Sequence, residues 1–158
     1  MSDPCTGCEL GHDDGRRRFF AVAAGMALAT ALPMRLLHAL DRRNADVRYP
    51  IPTSDSVSID TQQEVILVRW TGKLYAFNLA CPHQNTALRW REDDKNFQCP
   101  KHKSRYQPDG TFISGRATRG MDRLAIQKDG GEVVVNVETM FKQDVDLAGW
   151  TGAVVDLG

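Results

Sequence analysis

The chain has 158 residues, room for one domain of ordinary size and a short appendage, and its 20 basic and 20 acidic residues leave a formal net charge of zero. That balance supplies no broad basic field, so nucleic acid is not an expected partner. Four cysteines fall into two well-separated pairs, Cys5 with Cys8 and Cys81 with Cys99.

Residues 1–18 are polar and end in Asp13-Asp14-Gly15-Arg16-Arg17-Arg18, after which an uncharged apolar run extends from Phe19 to Met34. A charged head, an apolar body and small residues are the order of an export signal. The stretch Arg16 to Phe20 also resembles a twin-arginine signal, which carries folded, cofactor-loaded proteins across a membrane, although Gly15 stands where Ser or Thr is commoner. Ala29-Thr30-Ala31 offers a small-residue cleavage site. The apolar run is short for a span, but Leu36, Leu37 and Leu40 lengthen it, so residues 19–40 are expected to be retained as an anchor helix that Pro33 ends or kinks. Cys5 and Cys8, with His12 nearby, are read as incidental thiols of a tail on the reducing side of the membrane, with no disulfide; a redox pair, a lipid site or half a metal site are the functional alternatives.

Residues 41–55 are polar, contain Pro50 and Pro52 and lack a period, which predicts a linker. A β domain is then expected over residues 56–137. Val57–Ile59, Glu64–Trp70 and Lys73–Leu79 are rich in β-branched and aromatic residues, and Thr71-Gly72 makes a tight turn between the last two. The nearly continuous apolar run in Glu64–Trp70 predicts a central strand. Leu88–Arg91 and Asn96–Gln98 bracket an acidic turn, Pro108-Asp109-Gly110 turns into Thr111–Ile113, and Arg123–Gln127 with Glu132–Val137 form a last hairpin. No segment carries a helical stripe. Residues 138–158 are expected to be a tail that packs on the domain or on a partner.

Cys81-Pro-His83 is followed, after fifteen residues, by Cys99-Pro-Lys-His102. Two thiolates and two imidazoles can hold a tetrahedral zinc. In zinc fingers, however, like ligands usually pair at short spacing and the second half lies on a helix. Here each half supplies one ligand of each kind, in proline-containing stretches without helical period. A mixed knuckle used twice suits a 2Fe-2S cluster in which one iron takes both thiolates and the other both imidazoles.

At these residues the chain resembles the Rieske family, whose spacing matches across both half-sites. The resemblance implies an all-β, antiparallel domain with a cluster-binding tip, here preceded by the N-terminal apolar helix. It implies a Rieske-type 2Fe-2S cluster on Cys81, His83, Cys99 and His102. A cluster with two neutral imidazoles carries less negative charge than a four-thiolate one and takes up an electron more readily. Each ring has a second nitrogen, so electron and proton uptake are expected to be coupled. Ser104 and Tyr106 match positions that, in high-potential members, send hydroxyl hydrogen bonds to a bridging sulfide and a cysteine sulfur. Thr86 and Lys101 stand where respiratory and photosynthetic members usually carry a second, bridged cysteine pair, so backbone bonds must hold the loops here. The third loop, Ser114 to Arg123, lacks the family's prolines. Lys101, Lys103 and Arg105, followed by Arg116, Arg119 and Arg123, are read as a basic docking surface for an acidic partner.

The resulting expectation is an electron-transfer subunit rather than a complete enzyme, passing one electron at a time in a respiratory or photosynthetic complex. It would sit in a bacterial inner membrane through its N-terminal helix, with the cluster domain facing the periplasm. Its partners would be other subunits of that complex, drawn from cytochrome c, cytochrome b, a molybdopterin subunit and quinol. The alternatives are the small subunit of a periplasmic molybdenum oxidoreductase of the arsenite-oxidase type, a Rieske ferredoxin and, last, a zinc-stabilised binding module.

Overall fold

A computed structural model describes residues 46–158. The twin-arginine-like motif, the expected anchor helix at 19–40 and the Cys5–Cys8 pair lie outside the described residues. Among the described residues no helix is long and apolar enough to cross a membrane.

The larger sheet contains β1 (Asp46–Pro50), β2 (Ser56–Asp60), β3 (Val65–Trp70), β4 (Lys73–Asn78), β9 (Arg123–Asp129), β10 (Glu132–Phe141) and β11 (Val155–Asp156). Its strand order is β1-β10-β9-β4-β3-β2, all antiparallel, with β11 also on β4. A second sheet of β5 (Arg89–Arg91), β6 (Asn96–Gln98), β7 (Arg105–Tyr106) and β8 (Phe112–Ser114) carries the two Cys/His loops at its ends.

The two-residue period of β3 and β4 divides the interior. Ile66, Val68, Tyr75 and Phe77 face one core, which also contains Cys81, Cys99, Phe97, Tyr106 and Met121. Val65, Leu67, Leu74 and Ala76 face the other, with Leu124, Val133, Val135 and Val155. The β3–β4 hairpin is thus buried on both sides, which accounts for the unbroken apolar run at Val65–Val68. The first core is the floor on which the candidate site rests.

The expected N-terminal border of the domain is corrected. Residues 46–50 are not part of a linker: they form β1, an edge strand paired in register from Asp46↔Asn136 to Pro50↔Glu132. An edge position tolerates Pro50, and Tyr49 and Ile51 pack on the second core. Residues 138–158, expected as a tail packing on the domain or on a partner, pack on the domain itself. β10 runs on to Phe141 across a bulge at which Asn136 Oδ1 accepts the N–H groups of Glu138 and Thr139. It leads to a short helix, α1 (Leu147–Gly152), whose N-cap Asp146 accepts from the Gly149 N–H at 2.8 Å. Trp150 of α1 is buried and donates its indole N–H to Met121 O at 2.7 Å. β11 then pairs with Leu74 and Lys73, so residues 147–156 close the base of this domain itself.

Arg123 pins this closure. It is 5% exposed, donates to Trp150 O and Asp109 O at 2.8 Å each, and lies over the Trp150 ring at 3.8 Å and the Tyr75 ring at 4.8 Å. Burial holds its guanidinium below the usual arginine range, against the opposing effects of Tyr75 and Asp109. Arg123 is therefore removed from the expected basic docking surface. Arg119 is turned inward as well, paired with Asp122 and, at 3.4 Å, with Asp144.

Candidate metal centre

Cys81 and His83 lie in the turn after β4, Cys99 and His102 in the turn between β6 and β7. The two turns repeat one backbone device. The Cys81 N–H donates to Thr86 O, and Cys81 O accepts from the Asn85 N–H, both at 2.9 Å; the Cys99 N–H donates to Ser104 O at 2.9 Å, and Cys99 O accepts from the Lys103 N–H at 3.0 Å. In each turn the residue four beyond the cysteine has a positive φ, 50° at Asn85 and 60° at Lys103. Each such residue costs about 1–2 kcal/mol, less for Asn, whose side chain suits this conformation. These bonds brace the loops at Thr86 and Lys101, where no cysteine is available for a bridge. Leu88 N–H to Leu79 O at 2.9 Å and the Ala80↔Ala87 bridge tie the first loop at its base.

The four side chains converge. Cys81 and Cys99 are free thiols, 0% and 1% exposed. The His83 and His102 rings meet edge to face with centroids 4.8 Å apart. In both rings Nδ1 is buried without a hydrogen-bond partner, while the rings themselves are half-buried. A buried nitrogen left unpaired twice, in matching positions, is costly unless a ligand satisfies it. Among the described residues, no three His, Cys, Asp or Glu side chains are placed to hold one metal ion. Two cysteines and two Nδ1 atoms in separate pairs fit a group with two metal atoms better than a single tetrahedral ion.

The electrostatics prepare the Cys99 thiol. Burial pushes the Cys99 thiol up, but the backbone N–H groups of His102 and Lys101, together with Cys81 and Thr86, outweigh it and hold the thiol below its ordinary range. His102 is lowered by burial first, then by the positive charge of His83, Arg116 and Lys101. Lys101, Lys103 and Arg116 are exposed, whereas Arg105 lies 3.6 Å from Asp94. The basic rim beside His102 therefore reduces to Lys101, Lys103 and Arg116.

Both flanking hydroxyls are in the interior. Tyr106, fully buried, places Oη 3.3 Å from Cys81 Sγ. Burial first, then the bond to Cys81 and that residue's charge, raise its pKa, so the phenol keeps its proton at neutral pH. With a metal on Cys81 its sulfur would be deprotonated and only accept, which would make Tyr106 the donor of this bond. Ser104 is also fully buried, and its Oγ accepts the N–H groups of Arg116 and Ala117, both at 3.0 Å. Sequence reasoning did not find this bond to the third loop. The available signal was Gly115, which stands in that loop at φ 111°.

A β domain whose tip gathers two buried thiols and two inward-facing imidazole nitrogens is the class of a histidine-ligated iron-sulfur protein. The model of the Rieske [2Fe-2S] domain matches residues 45–136, more than half of the chain. The chain belongs to the Rieske [2Fe-2S] domain family, and its group is a Rieske-type 2Fe-2S cluster that makes it an electron-transfer domain.

Among its relatives, the chloroplastic cytochrome b6-f complex iron-sulfur subunit of Bigelowiella natans is 31% identical over 70 residues, 43% of this chain and 28% of that protein. The 3-phenylpropionate/cinnamic acid dioxygenase ferredoxin subunit of Escherichia coli (strain K12) is 26% identical over 90 residues, 55% of this chain and 85% of that protein. The chain spans less than half the length of the cytochrome b6-f subunits it matches. The crystal structure of the cyanobacterial plasma membrane Rieske protein of Synechocystis PCC 6803 aligns with a TM-score of 0.43 at 24% identity, over 51% of this chain and 84% of that one.

Proposed function

We propose that Cys81, His83, Cys99 and His102 hold the cluster, and that the chain is the Rieske subunit of a respiratory or photosynthetic complex, in the membrane or the periplasm. The cluster supplies a one-electron couple when bound. The cysteines keep its thiolate side in the apolar core, and the half-buried histidines form the edge through which an electron enters or leaves. Lys101, Lys103 and Arg116 beside His102 favour a partner surface rich in carboxylates, as on a cytochrome subunit. The sequence of residues 1–40 supports anchorage in a bacterial inner membrane with the cluster domain in the periplasm.

The observation that carries this reading is the buried hydroxyl of Tyr106 on Cys81 Sγ at 3.3 Å. A donor on a ligating sulfur withdraws negative charge and favours the reduced form, which suits a subunit accepting electrons from a moderate donor such as quinol. Tyr106→Phe removes the donor while keeping the ring. It should retain the cluster and shift the reduced-to-oxidised ratio at a fixed potential about tenfold toward oxidised, about 59 mV for one electron. A potential equal to that of the parent protein in direct electrochemistry would remove the argument for a high-potential subunit.

The second reading, a ferredoxin serving an oxygenase, draws on the dioxygenase ferredoxin subunit, which the match covers over 85% of its length. A low potential in the parent protein would favour it. The small subunit of a molybdenum oxidoreductase shares the predicted export; co-purification with a molybdopterin subunit would distinguish it.

A further inference from the structure

The third loop meets the site at Ser104. The Arg116 and Ala117 N–H groups both point at Ser104 Oγ, each at 3.0 Å. A hydroxyl oxygen has two acceptor sites and one proton to donate. With both acceptor sites engaged by backbone donors, the remaining capacity of Ser104 is donation, and accepting two N–H bonds polarises its O–H and strengthens that donation.

This arrangement requires the loop backbone to lie directly against the serine. A Cβ built on Gly115 would come within 2.8 Å of Ser104 N and 2.9 Å of Ser104 Oγ, and closer still to Ser104 Cα, far inside van der Waals contact. The φ of 111° at Gly115 adds a backbone conformation that L side chains rarely adopt. Ser104 is itself fully buried and tied through its carbonyl to the Cys99 N–H at 2.9 Å, so it has little freedom to retreat. A side chain at 115 must therefore lift the loop and withdraw the Arg116 and Ala117 amides.

We infer that Gly115 is a positioning residue for the redox site: by admitting the third loop to contact with Ser104, it sets the strength and aim of the Ser104 hydroxyl and so the reduction potential. This rests on the reading of Ser104 as a donor toward the cluster. It assigns part of the tuning to the backbone of a loop that contributes no ligand.

The test is a double-substitution cycle in the full-length chain, with Gly115→Ala, Ser104→Ala and the two combined, read by direct electrochemistry on cluster-loaded protein. Ser104→Ala should shift the reduced-to-oxidised ratio at a fixed potential about tenfold toward oxidised. Gly115→Ala should shift it about threefold the same way, but have no further effect in the Ser104→Ala background. A shift from Gly115→Ala that persists at full size without the Ser104 hydroxyl, or no shift at all, overturns the inference while leaving Ser104 tuning intact. An unchanged potential in Ser104→Ala removes the underlying reading, and the inference with it. Should Gly115→Ala fail to load a cluster, Arg116→Pro deletes one of the two N–H donors without a Cβ at 115, and the same two backgrounds decide. Amide exchange gives an independent readout: the Arg116 and Ala117 amides should lose protection in both single variants, and retained protection in Gly115→Ala contradicts the loop's displacement.

Discussion

Cys99→Ala and His83→Ala each abolish cluster incorporation: iron falls below about a tenth of the parent level and the visible chromophore disappears. Each loop supplies one candidate thiolate and one candidate imidazole, so either substitution leaves the cluster with three of its four proposed ligands. The polypeptide should still fold, because the backbone bonds that shape the second loop, Cys99 N–H to Ser104 O and Lys103 N–H to Cys99 O, do not involve the cysteine side chain. Iron analysis and visible absorption, with circular dichroism as the control for folding, check this. Full iron and colour in either variant would contradict the ligand assignment.

The second large effect lies away from the cluster. Arg123→Met should destabilise the domain by about 2–4 kcal/mol, because it leaves the buried carbonyls of Trp150 and Asp109 without their donor and removes the cation from the Trp150 and Tyr75 faces. Relief of the desolvation cost of a buried guanidinium offsets part of the loss and sets the upper bound. Arg123→Lys keeps the charge but not the planar fork that reaches both carbonyls, and should fall between the two. Urea unfolding of the cluster-loaded proteins measures the difference. A loss under about 1 kcal/mol for Arg123→Met would mean that α1 is held by Trp150 packing alone.

The two cases differ in what a sequence can reveal. The proposed ligands were legible because cluster ligation imposes a short-range rule, a cysteine and a histidine within three residues, used twice. The β3–β4 hairpin was legible because its turn and its alternating, doubly buried faces are local features. Arg123 was read as a surface charge because its partners, Trp150 and Asp109, are 27 and 14 residues away in sequence and only the closed base brings them together.

β1 was mistaken for linker on account of Pro50, Pro52 and the charges around them, yet a usable signal was present. Val47, Tyr49 and Ile51 alternate with polar residues or proline, the period of a half-buried strand. Proline excludes a central strand but not an edge. α1 had no such signal: six residues with two glycines show no helical stripe, and its place is fixed by the Asp146 cap and by Trp150 in the core. For Ser104, the sequence position suggested a tuning hydroxyl, but not that the Arg116 and Ala117 amides occupy its acceptor sites.

The central claim, a 2Fe-2S cluster held by two cysteines and two histidines, is tested most directly by pulsed EPR of the reduced full-length protein labelled with 15N-histidine. The structure predicts a rhombic signal with low average g and two strongly coupled histidine nitrogens, from His83 and His102. A 2Fe-2S signal without histidine coupling, or an EPR-silent protein carrying stoichiometric zinc, would contradict it.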